Sequence, residues 1–305
     1  MEIAIPNNMN PTRIAIYGRV FNSSVNPFVE DLFDYLRTKQ AEIYIHKEFY
    51  DFLKTIGSCP MDLRIFHSHE DFPKDVDFML SLGGDGTMLS AVSIVRDSNI
   101  PIAGINFGRL GFLANIQKSE IQQALEQIFA GKYHIQKRAL LTVEAEGRTL
   151  FGGENFALND ITVFRFDSSS MITINANLNG ELLNSYWSDG LIIATPTGST
   201  AYSLSCGGPI IMPGSGNFVI TPISPHNLNV RPLVVSSDMH LELMIESRTE
   251  KFILSCDSRS EALPTSTKLL VKKAPFTIDL IRLEGDGYFQ TLREKLLWGM
   301  DVRNY

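Results

Sequence analysis

The chain has few cysteines and lacks any segment suited to a membrane. Its three cysteines, Cys59, Cys206 and Cys256, are far apart, which excludes a disulfide framework or zinc spacing and predicts a reducing cytoplasm. No apolar run reaches membrane-spanning length. Residues 1–13 lack the basic and apolar regions of a signal peptide. A net charge of −7 argues against nucleic acid or a membrane surface as a partner.

The 305 residues are enough for two domains, and the pattern changes near Arg138. Before it, buried strands alternate with helices, which predicts a Rossmann-like α/β domain at residues 1–137. After it, short strand runs and the hairpin signal at Asn179 predict an all-β, sandwich-like domain at residues 138–283. Residues 284–305 turn helical with one apolar face, which predicts a tail that packs back on another domain.

Two local predictions concern the start of a helix and the bounds of two strands. The run Ser119-Glu120-Ile121-Gln122 predicts a capping box that opens a helix. Near the C-terminus, residues 268–272 and 276–283 are predicted as separate strands.

One stretch joins a buried strand, a glycine-rich turn and a helical pattern. Residues 78–87 are Phe-Met-Leu-Ser-Leu-Gly-Gly-Asp-Gly-Thr, which places Asp85 at the carboxyl end of a strand, where α/β sheets bind ligands. The following helix start suits phosphate. An acid beside a phosphate makes sense if it takes a proton from an attacking hydroxyl or holds magnesium. The alternative is a plain turn in which Asp85 caps the helix. The stretch is neither a dinucleotide fingerprint, because Leu89 takes its last place, nor a P-loop, because no lysine follows.

A second glycine-containing loop follows another predicted strand. Residues 106–113 are Asn-Phe-Gly-Arg-Leu-Gly-Phe-Leu, and Arg109 can pair with phosphate. The alternative is a surface loop with apolar anchors at Leu110, Phe112 and Leu113.

Three further motifs carry polar side chains in the second domain. The pair Asn159-Asp160 can bind a ribose diol or can be a bulge. The stretch Ser188 to Tyr202 contains an acid, Asp189, before an apolar strand, and then a loop dense in hydroxyls. Those hydroxyls can donate to a sugar or phosphate, or can cap a helix, and Tyr202 can stack on a base. His226, beside Pro225, is a possible ligand contact, and the scattered histidines indicate no metal cluster. The hydroxyl-bearing loop residues are Thr195, Thr197, Ser199 and Thr200.

In this order and spacing, the motifs resemble those of the NAD kinase family from about Arg13 to Trp298. The resemblance implies transfer of the γ-phosphoryl of ATP, or in some members of polyphosphate, to the 2′-hydroxyl of the adenosine ribose of NAD. Asp85 would be the general base. The residues that would bind phosphate and ATP are Gly83, Gly84, Thr87, Asn106 and Arg109. NAD would be held by Gly86, Asn159, Asp160, Asp189, Thr197, Thr200, Ala201 and Tyr202.

The resemblance also implies a fold, an ion and an assembly. The fold is an N-terminal α/β domain with the GGDG turn, a β-sandwich domain, and a tail returning to the first domain. Magnesium or another divalent cation is expected on the nucleotide phosphates, and no protein ligand is assigned to it. Family members are commonly dimers or tetramers with NAD sites at subunit interfaces.

Two departures and two alternatives remain open. The family usually has Glu at the position of Asp160, and residues 255–259 depart from the expected Asp-Gly-Gln, so they receive no role. Because the GGDG element also occurs in diacylglycerol and sphingosine kinases, a lipid kinase is one alternative. A non-catalytic nucleotide sensor, in which Asp85 is only a cap, is the other.

Overall fold

The structure is a computed structural model that describes residues 11–58, 62–108, 111–168 and 170–299. The predictions on Cys59, Arg109 and Leu110 lie outside these ranges. The chain divides into two compact units, Met1–Gln136 with Ile278–Tyr305, and Lys137–Thr277. None of the described helices combines the length and the apolar character needed to span a membrane.

The first unit contains a parallel sheet flanked by helices. Its strands and helices are β1 (Arg13–Gly18), α1 (Asn26–Thr38), β2 (Glu42–His46), α2 (Lys47–Thr55), β3 (Arg64–Phe66), β4 (Phe78–Gly83), α3 (Asp85–Val95), β5 (Ile102–Asn106), β6 (Ile116–Gln117), α4 (Ile121–Phe129) and the start of β7 (Tyr133–Ala145).

The strand order of this sheet explains why its glycine-rich turn is well placed for a ligand. Parallel pairing gives the order β3-β2-β1-β4-β5. The order reverses between β1 and β4, and doubly wound sheets bind ligands outside the carboxyl ends of strands at such a switch point. β4 ends there, at Gly83. Apolar side chains of the strands and helices form one core, which includes Ile16, Leu32, Leu80 and Leu125.

The second unit is built from antiparallel strands. Its elements are the rest of β7, β8 (Phe156–Ala157), β9 (Asp160–Arg165), β10 (Ile172–Leu178), β11 (Glu181–Ser188), β12 (Gly190–Ala194), α5 (Tyr202–Ser205), β13 (Asn217–Ile223), β14 (Leu233–Ser236), β15 (His240–Glu246), β16 (Lys251–Cys256), β17 (Arg259–Pro264) and the first part of β18 (Leu269–Leu283). The remainder of β18 and the helix α6 (Tyr288–Leu296) belong to the first unit.

Two sheets of the second unit enclose a shared apolar core. One has the order β11-β10-β15-β18, and the other has the order β14-β13-β12-β9-β16-β17. Their inward side chains, such as Ile174 and Leu243 of the first sheet and Val163 and Phe218 of the second, form one cluster. This is the arrangement of a β-sandwich. The predicted fold class, an α/β domain followed by a β-sandwich and a C-terminal helix, is confirmed.

Two local predictions are wrong in detail, and one strand was missed. The helical segment after β6 begins at Lys118, and Glu120 accepts the backbone N–H of Gln117 at 3.3 Å, so the capping box begins at Gln117 rather than Ser119. The two strands predicted at residues 268–272 and 276–283 are one continuous strand, β18. The strand β17 was not predicted, because half of its sequence, Arg-Ser-Glu-Ala-Leu-Pro, is polar and it ends in proline.

Candidate functional site

Asp85 is the first residue of α3, but its side chain does not cap the helix. The N-cap is Gly84, which makes no side-chain cap bond, and the N–H groups of Thr87 and Met88 bond to the carbonyl of Gly84. The interpretation of Asp85 as a helix cap is therefore wrong. Its half-buried carboxylate is directed instead at a different part of the chain.

The Asp85 carboxylate is held by three consecutive backbone amides of the loop after β5. Oδ2 accepts the N–H of Phe112 at 2.9 Å, and Oδ1 accepts those of Leu113 and Ala114, each at 3.0 Å. Hydrogen bonds to an ionised acceptor are stronger than neutral ones. The two loops that were singled out in the sequence are thus joined through this carboxylate.

A glycine, Gly111, and the side-chain amide of Asn106 determine the shape of the loop. A Cβ on Gly111 would overlap the Asp85 carboxylate, so only glycine allows this approach. Asn106 is 3% exposed, accepts the N–H of Gly108 at 2.7 Å and donates to the carbonyl of Ala114 at 3.2 Å. Its side chain thereby closes the loop at both ends, and a contact with ATP stays a prediction.

The glycine-rich turn exposes mainly backbone atoms, which are therefore the groups available to a ligand. Gly83 and Gly84 are half-buried and Gly86 is exposed, whereas Thr87 is buried. The Thr87 side chain fills the space that a Cβ on Gly83 would need. Backbone N–H groups at the start of a helix are suited to anions, so the turn can accept phosphate oxygens through its main chain.

In the second unit, Asn159 and Asp160 lie against the hydroxyl-rich loop. The N–H of Thr195 donates to the carbonyl of Asn159 at 2.9 Å, and the Thr195 hydroxyl donates to the carbonyl of Leu158. A Cβ on Gly198 would strike the Asn159 backbone, which cannot move aside as a flexible side chain can. The structure therefore brings these two predicted motifs together.

Asp257, to which the sequence assigned no role, holds the Asn159-Asp160 turn from the other side. It lies between β16 and β17, and its carboxylate accepts the backbone N–H groups of Leu158 and Asn159 at 2.8 Å and of Asp160 at 3.1 Å. Burial raises the pKa of Asp257, while these amides and Arg259 oppose the rise.

Asp160 is itself nearly buried, with 8% of its surface exposed. Its Oδ1 accepts the hydroxyl of Thr162 at 2.9 Å. Burial, with a further contribution from the charge of Asp257, raises the pKa of Asp160 to about 6, although the Thr162 hydroxyl opposes this. The group can therefore change charge near neutral pH.

The hydroxyls of the loop divide into two kinds. Those of Thr195 and Ser199 are fully buried and bond to main-chain atoms, Ser199 donating to the carbonyl of Pro196 at 2.7 Å. The expectation that these two contact a sugar or phosphate is wrong. Thr197 accepts a hydrogen bond from the guanidinium of Arg138 at 3.3 Å, and Thr200, which is half-buried, bonds to the carbonyl of Thr197.

Tyr202 links this loop electrostatically to Asp189. Tyr202 is 42% exposed, and burial, followed by the charges of Cys206, Asp160 and Asp189, raises its pKa. Asp189 precedes β12 and pairs with Arg165 at 3.1 Å. Asp160 and Asp189 therefore both lie close enough to affect the hydroxyl of this exposed ring.

The ring of His226 packs, tilted, against an exposed tryptophan. Its ring centroid lies 4.1 Å from that of Trp187, and its backbone N–H donates to the carbonyl of Trp187 at 2.9 Å. This contact fixes the histidine next to the strand end that carries Asp189.

The fold and these sites define a class of two-unit proteins in which an α/β unit with a glycine-rich turn is combined with a β-sandwich unit. Residues 26–133 match the model of the ATP-NAD kinase N-terminal domain, and residues 158–283 match that of the ATP-NAD kinase C-terminal domain. The chain belongs to the NAD kinase family.

Relatives agree with this assignment, and solved structures share the fold. The chain is 45% identical to an NAD kinase of Cytophaga hutchinsonii, over 95% of this chain and 99% of the relative, and 40% identical to one of Bacteroides fragilis, with the same coverage. Its fold is similar to that of yeast NADH kinase complexed with NADH, with a TM-score of 0.82, 23% identity, and coverage of 99% of this chain and 95% of the other. It is also similar to an Archaeoglobus fulgidus NAD kinase in complex with ATP, with a TM-score of 0.66, 23% identity, and coverage of 93% and 99%.

Proposed function

We propose that this protein transfers the γ-phosphoryl of ATP to the 2′-hydroxyl of the adenosine ribose of NAD, giving NADP. Membership of the NAD kinase family supports the reaction. The observation that carries the mechanism is the Asp85 carboxylate, held by three amides at the end of β4. A ribose hydroxyl is a poor nucleophile until its proton is removed, so a fixed carboxylate is the group that this reaction needs.

We assign the proton transfer to one oxygen of Asp85. Oδ1 accepts two amide hydrogen bonds and Oδ2 accepts one. Because a carboxylate oxygen has room for about two donors, Oδ2 retains a lone pair for the substrate hydroxyl. The amides hold the carboxylate in place during this step, which lowers the cost of orienting it.

The remaining residues of the first unit are assigned to phosphate. Gly83, Gly84 and Thr87 lie where β4 turns into α3, and this turn is assigned to the phosphates of ATP. Asn106 keeps the neighbouring loop in shape, and Arg109 supplies positive charge. Phosphoryl transfer depends on such positioning and charge neutralisation.

The second unit and Gly86 are assigned to NAD. Asn159 and Asp160 bind ribose hydroxyls, where the shorter side chain of Asp160 reaches less far than the usual Glu. Tyr202 packs on the adenine, and Asp189 accepts from a polar edge of the dinucleotide. His226 is a further ligand contact. Thr197, Thr200 and Ala201 complete the lining through their main chain and small side chains.

A divalent cation, magnesium in the first instance, would arrive on the phosphates of ATP. The described residues contain no group of three or more His, Cys, Asp or Glu side chains placed to hold a metal. Magnesium commonly binds through substrate phosphates and water rather than an all-protein cage. When bound, it neutralises charge on the transferred phosphoryl group.

We also propose a cytoplasmic homodimer or homotetramer with the NAD site near a subunit interface. β11 stands at the end of its sheet, and its Leu182 and Trp187 are 63% and 51% exposed. An exposed apolar edge of this kind is a common contact between copies. Light scattering coupled to size exclusion would give the mass in solution.

One assay tests the reaction. ATP-dependent formation of NADP from NAD should be observed, and diacylglycerol offered instead of NAD should not be phosphorylated. Phosphorylated diacylglycerol would indicate a lipid kinase. NAD binding without turnover would indicate a sensor.

Asp85→Asn tests the assigned base. Loss of a general base costs about 10²–10⁴-fold in rate, whereas NAD affinity should change less, because the lost interaction matters mainly in the transition state. Asp34→Asn, at an exposed position of α1, is the matched control and should keep full activity. Thermal unfolding checks that the variant is folded and as stable as wild type. ATP affinity at several magnesium concentrations separates a role in proton transfer from a role in metal binding. Turnover within a few-fold of wild type would exclude Asp85 as the base.

A further inference from the structure

Arg282 is a buried arginine near the end of β18 that reaches the loop bound by Asp85. It is 8% exposed. Its Nη2 donates to the carbonyl of Phe112 at 3.1 Å, its Nη1 to that of Leu113 at 3.5 Å, and its Nε to Oε1 of Gln136 at 3.2 Å. The guanidinium therefore binds two of the three residues whose amides bind Asp85.

The covalent structure of the backbone makes this contact specific. The carbonyl of Phe112 and the N–H of Leu113 belong to one planar peptide group, and the carbonyl of Leu113 and the N–H of Ala114 belong to the next. In both groups the carbonyl accepts from Arg282 and the N–H donates to Asp85. Two consecutive peptide dipoles thus lie between a cation and an anion.

The electrostatics of the guanidinium agree with this geometry. Burial lowers the pKa of Arg282, and the charges of Asp286 and Asp85 oppose that effect. A buried cation is tolerated when it is hydrogen-bonded and paired. Hydrogen bonds in series polarise one another, so each hydrogen bond between Arg282 and Asp85 strengthens the next one in the series.

We propose that Arg282 is a positioning residue that fixes the Asp85 carboxylate through the peptide groups of Phe112, Leu113 and Ala114. The inference rests on the proposed role of Asp85 as the base. Arg282 does not touch the reacting atoms. It holds the loop carbonyls, and the loop amides hold the carboxylate at the orientation that proton transfer requires.

Arg282→Gln is expected to lower kcat while leaving the KM values for NAD and ATP within a few-fold. A displacement of about 1 Å at a catalytic group can cost about 10²-fold, so the expected loss in kcat is about 10- to 100-fold. Arg282→Lys should recover part of it, because an ammonium keeps the charge but not the fork that spans two carbonyls. Arg13→Gln is the control, since Arg13 also binds acids, Glu42 and Asp75, in the first unit.

A double-mutant cycle between Arg282 and Asp85 separates positioning from a general structural effect. If Arg282 acts through Asp85, Arg282→Gln should cost much less in the Asp85→Asn background than in wild type. Equal costs in both backgrounds would overturn the inference, as would an unchanged kcat in folded Arg282→Gln. If the Gln variant does not fold, Arg282→Lys enters the same cycle with the same criteria. A wild-type protein that forms no NADP would overturn the proposed function, and this inference with it.

Discussion

Asp160 donates its backbone N–H to the carboxylate of Asp257 at 3.1 Å, so the turn that contains one acid is held by a second. The same carboxylate also binds the N–H groups of Leu158 and Asn159. The arrangement repeats, in the second unit, the way in which Asp85 binds Phe112, Leu113 and Ala114 in the first. In each case a carboxylate orders a short run of backbone next to residues assigned to the substrates.

The charge of Asp160 should make stability depend on pH. Its pKa is raised from 3.8 to about 6, so the folded chain binds this proton more tightly than the unfolded chain does. The resulting stabilisation is full below about pH 4 and is lost as the pH rises through 6. Since one pKa unit corresponds to about 1.4 kcal/mol, Asp160→Asn should be about 2–3 kcal/mol more stable than wild type at pH 8.

Urea unfolding of both proteins at pH 4 and pH 8 provides the measurement. The difference should nearly vanish at pH 4, where the wild-type carboxyl is protonated. The exposed Asp238→Asn serves as the control. A difference that is the same at both pH values would contradict the assignment.

Asn159→Ala should weaken NAD binding. The loss of a hydrogen-bonding partner in a buried site costs about 1–3 kcal/mol, and calorimetry would detect it directly. Asn217→Ala, in the same unit, provides a comparison and should bind NAD normally. Asp160→Glu, which restores the usual family residue, should keep at least part of the activity. Unchanged affinity in Asn159→Ala would remove its assigned role.

Asp257→Ala should destabilise the protein and loosen its hold on NAD. It leaves three backbone N–H groups without their acceptor, at about 1–3 kcal/mol for each group that stays buried. Asp257→Asn keeps one acceptor oxygen and should be closer to wild type in both thermal midpoint and NAD affinity. If Asp257→Ala matches wild type in both measurements, the turn does not depend on this carboxylate.

Gly111→Ala should impair turnover, because the added methyl overlaps the Asp85 carboxylate. Gly108→Ala, in the same loop, is a sharp control, since its Cβ would meet only Oδ1 of Asn106, at 3.8 Å. We expect a drop in kcat of about 10-fold or more for Gly111→Ala, as for other displacements of a catalytic group. Steady-state kinetics of the two variants side by side decide the matter, and equal activity would argue against the steric account.

The features that the sequence predicted well are those with local causes. The strand–turn–helix around Asp85 follows from an apolar run that ends in glycines, and the hairpin at Asn179 follows from its turn residues. The change from alternating strands and helices to successive strands likewise predicts an α/β architecture followed by an all-β one. Each of these signals lies within a dozen or so residues of chain.

The features that were missed depend on distant parts of the chain or on weak local patterns. Arg282 bonds to Phe112 across 170 positions, and Asp257 bonds to Leu158 across 99. Nothing near either residue in the sequence marks its partner. β18 was divided because the segment Lys273 to Pro275 interrupts its apolar run, yet the strand continues through that segment and is paired on both sides of it. Tertiary pairing decides such cases.

The amides that share the Asp85 carboxylate also provide a built-in spectroscopic reporter. Phe112, Leu113 and Ala114 each contribute one N–H to a single titratable group. In an amide NMR spectrum, their three resonances should move together whenever a proton or a substrate reaches that carboxylate. The state of the proposed catalytic group can thus be followed from the backbone of its own loop, without a label on the substrate.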